Sequence, residues 1–332
     1  MDDIARYLEE GVQQSIFSCG VLVVFNRQGP LLVESIGKDA DNRTPTINTR
    51  FDLASLTKVV ATLPLILDLL EENSISLDGI VQDYLTEFEG HPYGKLSVYS
   101  LLRHSAGLPA HIRFYEQKEQ NPLKALLQQT TQSEPDKQVV YSDTGYILLG
   151  LIIERMNKEI LAESAHRVFL KLGMGNTNFS SDDGIPTRVI GAVDDGNARF
   201  FNRNTGHAGL FGTARDLARY LQFWDSSSAS FYLKAMELQT ETLGDRRGLG
   251  WVLSGGKQSF FEGFSTNTIG HTGYTGTSIM LDKNAHIGIV FLTNRVLCGT
   301  DQRFISYRKE LHRYLREFLE LENQYSLREP IA

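Results

Sequence analysis

The sequence predicts an α+β fold: an antiparallel sheet flanked by N- and C-terminal helices, with an all-helical domain inserted between its strands. Three observations point there. Strand-like runs cluster near the two ends of the chain. The long middle segment carries helical periodicity with polar loops. Each end carries an amphipathic helical stretch. This divides the chain into a sheet domain formed by residues 1–75 and 239–332 and an inserted, mostly helical domain, 76–238. A cleft between two such domains is a usual place for a small-molecule site.

The elements follow in order. Residues 2–16 place Ile4, Leu8, Val12 and Ile16 on one helical face. Val21–Phe25 and Leu31–Glu34 read as strands joined by the turn Arg27-Gln28-Gly29-Pro30. A helix begins at Ser55 and runs through Leu56, Val59, Val60, Leu63, Ile66, Leu67 and Leu70. Further helices are expected at 98–103, 122–130, 144–157, 160–170 and 214–224. Thr213 and Asp216 open the last of these in capping-box style. Strands return at Gly248–Leu253, Phe260–Phe264, Thr268–Gly270, Thr277–Leu281 and His286–Thr293. A helix over 301–322, with Phe304, Tyr307, Leu311, Leu315 and Phe318 on one side, closes the pattern.

Composition narrows the function classes. The chain has 332 residues, 41% of them hydrophobic, and a formal net charge of −7. That balance, without a Lys/Arg cluster, argues against a nucleic-acid or anionic-membrane partner. Cys19 and Cys298 have no Cys or His at metal spacing and read as core residues. No metal or organic cofactor is expected. The acidic start Met1-Asp2-Asp3 lacks a signal-peptide pattern, and no apolar run is long enough to span a bilayer. A cytoplasmic location is expected, or a periplasmic one if an export signal has been removed. Oligomeric state is left open.

Ser55-Leu56-Thr57-Lys58 is the stretch that carries chemistry. Three residues apart on a helix, the hydroxyl and the amine share a face. The serine needs a base to become a nucleophile, and a neutral amine can serve. A serine in the first turn also offers its own backbone N–H to the oxygen of the group it attacks. The same spacing recurs at Ser35–Lys38 and Ser254–Lys257, but neither of those opens a helix. Two later motifs add weight: Tyr141-Ser142-Asp143, the one Tyr-x-Asn/Asp in the chain, and His271-Thr272-Gly273 followed by Tyr274.

In that order, these motifs resemble the penicillin-recognising serine hydrolases: class C-type β-lactamases, low-molecular-weight penicillin-binding proteins and their esterase relatives. Phe51-Asp52-Leu53-Ala54, the loop Leu101-Leu102-Arg103-His104-Ser105-Ala106-Gly107-Leu108-Pro109, the segment Gly206–Asp216 and Leu292-Thr293-Asn294-Arg295 extend the resemblance over about residues 50–295. It implies a β-lactamase/transpeptidase-like fold with Ser55 as nucleophile. Lys58 and Tyr141 would manage its proton, and Tyr141 would also help activate the hydrolytic water and protonate the leaving group. Thr272, Gly273 and Tyr274 would form the strand edge beside the acyl group, with the Tyr274 N–H as second oxyanion donor.

Two departures from the family pattern bear on substrate. Asp143 stands where Asn is commoner. An ionised carboxylate cannot donate, and near Lys58 it would raise the lysine's pKa. Either Asp143 turns to the helix N-terminus or Tyr141 carries more of the proton transfer. His271 stands where the lactamases have a lysine, which weakens recognition of a substrate carboxylate and favours an uncharged acyl donor. The expected function is a serine acyl hydrolase acting through a Ser55 acyl-enzyme on small esters. The alternatives are a D-Ala-D-Ala carboxypeptidase or weak β-lactamase, and a penicillin- or peptide-binding sensor that acylates without turnover. The expected partner is a small-molecule acyl substrate. His104 and His207 read as structural, and Trp251 as a sheet residue. No Gly-x-Ser-x-Gly, His-Glu-x-x-His or P-loop motif is present.

Overall fold

The computed structural model describes residues 2–322; residues 323–332, assigned above to the sheet domain, lie outside the described residues. The strands are β1 (Cys19–Asn26), β2 (Gly29–Gly37), β3 (Phe51–Asp52), β4 (Phe211–Gly212), β5 (Val252–Leu253), β6 (Thr268–Thr272), β7 (Ser278–Asp282) and β8 (Ile287–Thr293). Six form one sheet in the order β2-β1-β8-β7-β6-β5, each neighbouring pair antiparallel. The two ends of the chain meet where β1 pairs with β8, Val23 opposite Val290. The short strands β3 and β4 form a separate two-stranded pair.

Alternation along β1 explains how the sheet is covered. Val21, Val23 and Phe25 face one core, and Leu22 and Val24 face another. The second core is closed by the terminal helices Asp2–Gln13 and Arg303–Leu321, through Ile4, Leu8, Phe304, Leu311 and Leu315. Their contact is fixed by the stacked rings of Tyr7 and Tyr307, 4.5 Å between centroids. The first core runs into the helices Leu63–Glu71, Asp143–Asn157 and Ala214–Ser226. Burying each of these leucine and phenylalanine side chains stabilises the fold by about 1.5–3 kcal/mol. Thr213 caps the last of these helices as its sequence suggests, accepting from the Asp216 N–H at 3.2 Å.

Four elements differ from expectation. The helix expected at 122–130 ends at Leu126. The strand at Gly248–Leu253 shrinks to Val252–Leu253. The Leu249 and Gly250 N–H groups are spent on the carbonyls of Ala235 and Leu102, outside the sheet. Phe260–Phe264 is irregular rather than a strand; its three phenyl rings are buried in the outer core, and Phe260 meets His312 edge-on. The helix after Ser55 is not uniformly α. Lys58–Thr62 forms a π-helical turn, with the Leu63 N–H bonded to the Lys58 carbonyl. Pro64 lacks an N–H and cannot bond the Val60 carbonyl, which favours this wider turn. The Tyr220 hydroxyl donates to the Val59 carbonyl beside it.

Candidate active site

The turn before Ser55 is held by a buried carboxylate. Asp52 Oδ1 accepts from the Ala54 N–H at 2.9 Å, and Oδ2 from the Asp194 N–H at 2.7 Å. Burial pushes this carboxyl up to about 7 despite both bonds. Ala54 sits at φ 46, the left-handed region that a residue with a Cβ rarely occupies. The chain is thereby turned so that Ser55 opens the helix facing a cavity of about 1440 Å³. Tyr141, Asp143, Thr272, Gly273 and Tyr274 line the same cavity.

Lys58 lies behind this wall, fully buried. Its Nζ donates to Ser55 Oγ at 2.9 Å, to Asp143 Oδ1 at 2.7 Å and to the His207 carbonyl at 3.0 Å. An ammonium has three hydrogens, and each is placed. A neutral amine would fit the same contacts in one way only. Asp143 and the carbonyl can only accept, so its lone pair would face the Ser55 hydroxyl. Asp143 decides between the two forms. Burial works against the charge on Lys58, but the carboxylate, helped by Tyr141, outweighs it and holds the ammonium well above the ordinary lysine value. Burial likewise works against the Asp143 charge, yet Lys58 and His111 hold that carboxyl far below the usual range. Asp143 is thus in the first helical turn, as its position suggests, but its side chain is turned to Lys58.

The Tyr141 ring centroid lies 5.0 Å from Lys58 Nζ. His104 packs on Tyr141, 4.5 Å between ring centroids, and its Nδ1 accepts from the Ser142 N–H at 3.2 Å. Burial, with Arg247 and Lys58 nearby, keeps His104 neutral by lowering its pKa well below the ordinary value. His207 is pinned by Thr205 at 2.9 Å and Asp195 at 3.1 Å, and contributes its carbonyl.

The strand-edge motif is bolted to the serine turn. Thr275 Oγ1 donates to the Asp52 carbonyl at 2.7 Å and Thr277 Oγ1 to the Leu53 carbonyl at 3.2 Å. Gly273 is required here: a Cβ would stand 2.5 Å from the Leu53 oxygen and 2.2 Å from Thr277 Oγ1. The backbone N–H groups of Ser55 and Tyr274 donate to no protein acceptor among the described residues, so both are free to meet a ligand oxygen. His271 stands apart from the cavity. Its ring is buried 6.0 Å from that of Tyr141, and neither nitrogen makes a well-formed hydrogen bond among the described residues. Burial, with Lys58 and Arg247, keeps it neutral.

Three residues at or beside the cavity lie outside the motifs read from the sequence. His111 reaches Asp143 Oδ2 at 3.3 Å from a loop without periodicity. The buried Arg247 lies over the Tyr141 ring, 5.6 Å from its centroid. The Arg308 guanidinium lines the far wall with no hydrogen-bond or ion-pair partner among the described residues, packed over Phe260 and Phe304. Burial, with Arg295 beside it, lowers its pKa to about 9. Its signal is a charge set within the apolar stripe of the last helix. A further Ser-x-x-Lys, Ser306–Lys309, lies inside that helix; its lysine pairs with Glu262 at 3.4 Å.

A sheet backed by the two terminal helices, with a serine, a lysine and a strand edge gathered at its margin, is the β-lactamase/transpeptidase-like architecture. The family described as Beta-lactamase matches residues 4–311, and the chain belongs to it; its members are serine hydrolases. The chain is 28% identical over 303 residues to a putative D-alanyl-D-alanine carboxypeptidase of Salmonella agona, covering 75% of this chain and 70% of that one. Its fold is similar to that of EstCE1, a hydrolase with promiscuous acyltransferase activity (TM-score 0.75, 20% identity, 94% and 98% covered). It is also similar to a class C beta lactamase from Rhodobacter sphaeroides (TM-score 0.74, 19% identity, 95% and 100% covered). No helix among the described residues is long and apolar enough to cross a membrane.

Proposed function

We propose that the protein is a serine acyl hydrolase that forms an acyl-enzyme on Ser55, with small esters as acyl donors. The observation that carries this is the 2.9 Å contact between Lys58 Nζ and Ser55 Oγ at the floor of the cavity. Ser55 Oγ attacks the carbonyl carbon while its proton passes to the Tyr141 oxygen and the Tyr141 hydroxyl proton passes to the leaving alkoxide. Lys58, held as an ammonium, steadies the developing charge on Oγ. Tyr141, on the cavity side, exchanges the proton. The free N–H groups of Ser55 and Tyr274 receive the carbonyl oxygen. His271, buried and neutral, gives no cation to a substrate carboxylate, which favours an uncharged donor.

Arg308 supports a second reading. An unpaired guanidinium on the cavity wall suits an acyl donor with a carboxylate, as in a D-Ala-D-Ala carboxypeptidase or weak β-lactamase. A chromogenic acetyl ester and a chromogenic cephalosporin, assayed on one preparation, separate the two. The ester is expected to turn over well above the cephalosporin; matching rates would favour the second reading. A Ser55 adduct without product release from either would identify a sensor instead.

Gly273→Ala tests the oxyanion donors. The added Cβ must displace the Leu53 carbonyl or the Thr277 hydroxyl, moving the Tyr274 N–H. The kcat for the ester is expected to fall about 10²-fold, the effect of losing one such donor. Stability is expected to drop by about 1–3 kcal/mol in urea titrations.

A further inference from the structure

The cavity holds a base that acylation leaves unused. His111 is half exposed and lines the same cavity as Ser55 and Tyr141. Its Nδ1 faces Asp143 Oδ2, the oxygen that Lys58 does not take. An ionised carboxylate only accepts, so Nδ1 carries the hydrogen and Nε2 the lone pair. Nε2 has no hydrogen-bond partner among the described residues. Lys58, already an ammonium, has no lone pair with which to take a proton from water.

We propose that His111 is the general base for the water that attacks the Ser55 acyl-enzyme, with Asp143 orienting its ring. This rests on the acyl-enzyme reading above. The water's O–H bond breaks as its oxygen bonds to the acyl carbon, and the proton passes to Nε2. Asp143 stabilises the resulting imidazolium. The tetrahedral species then re-forms its carbonyl by breaking the bond to Ser55 Oγ. The proton on Nε2 moves through a second water to Oγ, the carboxylic acid leaves, and every side chain regains its starting protonation. Asp143 therefore serves both sides of the wall: one oxygen holds Lys58 and the other holds His111. A neutral asparagine amide at that position would stabilise the imidazolium far less.

The hydrogen bond to Asp143 raises the His111 pKa. Partial burial opposes it, Asp195 adds to it and Arg113 subtracts from it. The base is active above that pKa, so water attack slows as pH falls through it.

p-Nitrophenyl acetate is the probe, with the wild-type chain and its His111→Gln and His111→Ala variants. All three are expected to give the same nitrophenol burst and the same acetyl-Ser55 adduct by mass. Hydrolysis of that adduct is expected to slow about 10²–10³-fold in both variants. Hydroxylamine, a nucleophile that needs no base, should release acetyl from all three at matching rates, which shows the sites intact. The wild-type release rate should fall on the acid side, and that limb should be absent from the Gln variant. Adducts that hydrolyse at the wild-type rate in both variants would overturn the role of His111. Absence of acetyl-Ser55 from the wild type would instead overturn the acyl-enzyme reading itself.

Discussion

Ser55→Ala is expected to lower ester turnover by about 10⁴-fold or more and to abolish labelling by a fluorophosphonate. The nucleophile has no neighbour that could replace it. Lys58 is a buried ammonium, Tyr141 is a poor nucleophile toward an ester, and no cysteine lines the cavity. The variant should fold as well as the wild type, because Lys58 keeps Asp143 and the His207 carbonyl. Thermal unfolding and labelling on one preparation check both halves. Residual turnover above about a hundredth of the wild-type rate would place the nucleophile elsewhere.

Lys58→Met carries the second large effect, and this one extends to stability. It leaves the Asp143 carboxylate facing a fully buried apolar side chain, with only His111 on its other oxygen. Removing one partner of a buried ion pair typically costs about 3–5 kcal/mol. Adding Asp143→Asn to the same protein should recover most of that loss, since the uncompensated charge is gone. Urea titration of the single and double variants reads the difference; equal stabilities would show that the pair is not coupled. Ester turnover should fall about 10³-fold in both, because the ammonium that steadies the charge on Ser55 Oγ is gone.

The same pair fixes where pH effects can arise. Asp143, depressed, contributes stability above the usual carboxylate range and loses it only in strong acid. Lys58, raised, contributes stability below the usual lysine range and loses it only in strong base. Between about pH 5 and 9 neither titrates. Changes of rate in that window therefore belong to other groups, among them His111 and Asp52, the buried carboxyl that holds the serine turn.

What the sequence made legible follows the range of the interactions. Ser55 and Lys58 are three residues apart, so helical spacing alone places them together. The strand signals along β1, β7 and β8 come from largely apolar runs and sit within a few residues of their expected ends. Family order brings Tyr141 to attention. The Lys58–Asp143 contact spans 85 residues of chain, and local pattern left two orientations open for Asp143. The lost strand at 248–251 has the same origin: the Leu249 and Gly250 N–H groups answer distant carbonyls, which no local propensity encodes. His111 is unreadable because a loop has no period, and Arg308 because helical periodicity counts apolar positions and passes over the charge among them.

The pairing of β1 with β8 sets a clock on synthesis. Val23 meets Val290, and at about 5–20 residues per second a ribosome needs roughly 13–50 s to make the chain between them. For that time β1, apolar on both faces and hydrogen-bonded only to β2, presents an open edge to other nascent chains. The hairpin must be sheltered until its partner arrives. Yield in a cell should therefore respond more to translation speed and chaperone supply than the equilibrium stability of the finished molecule would suggest.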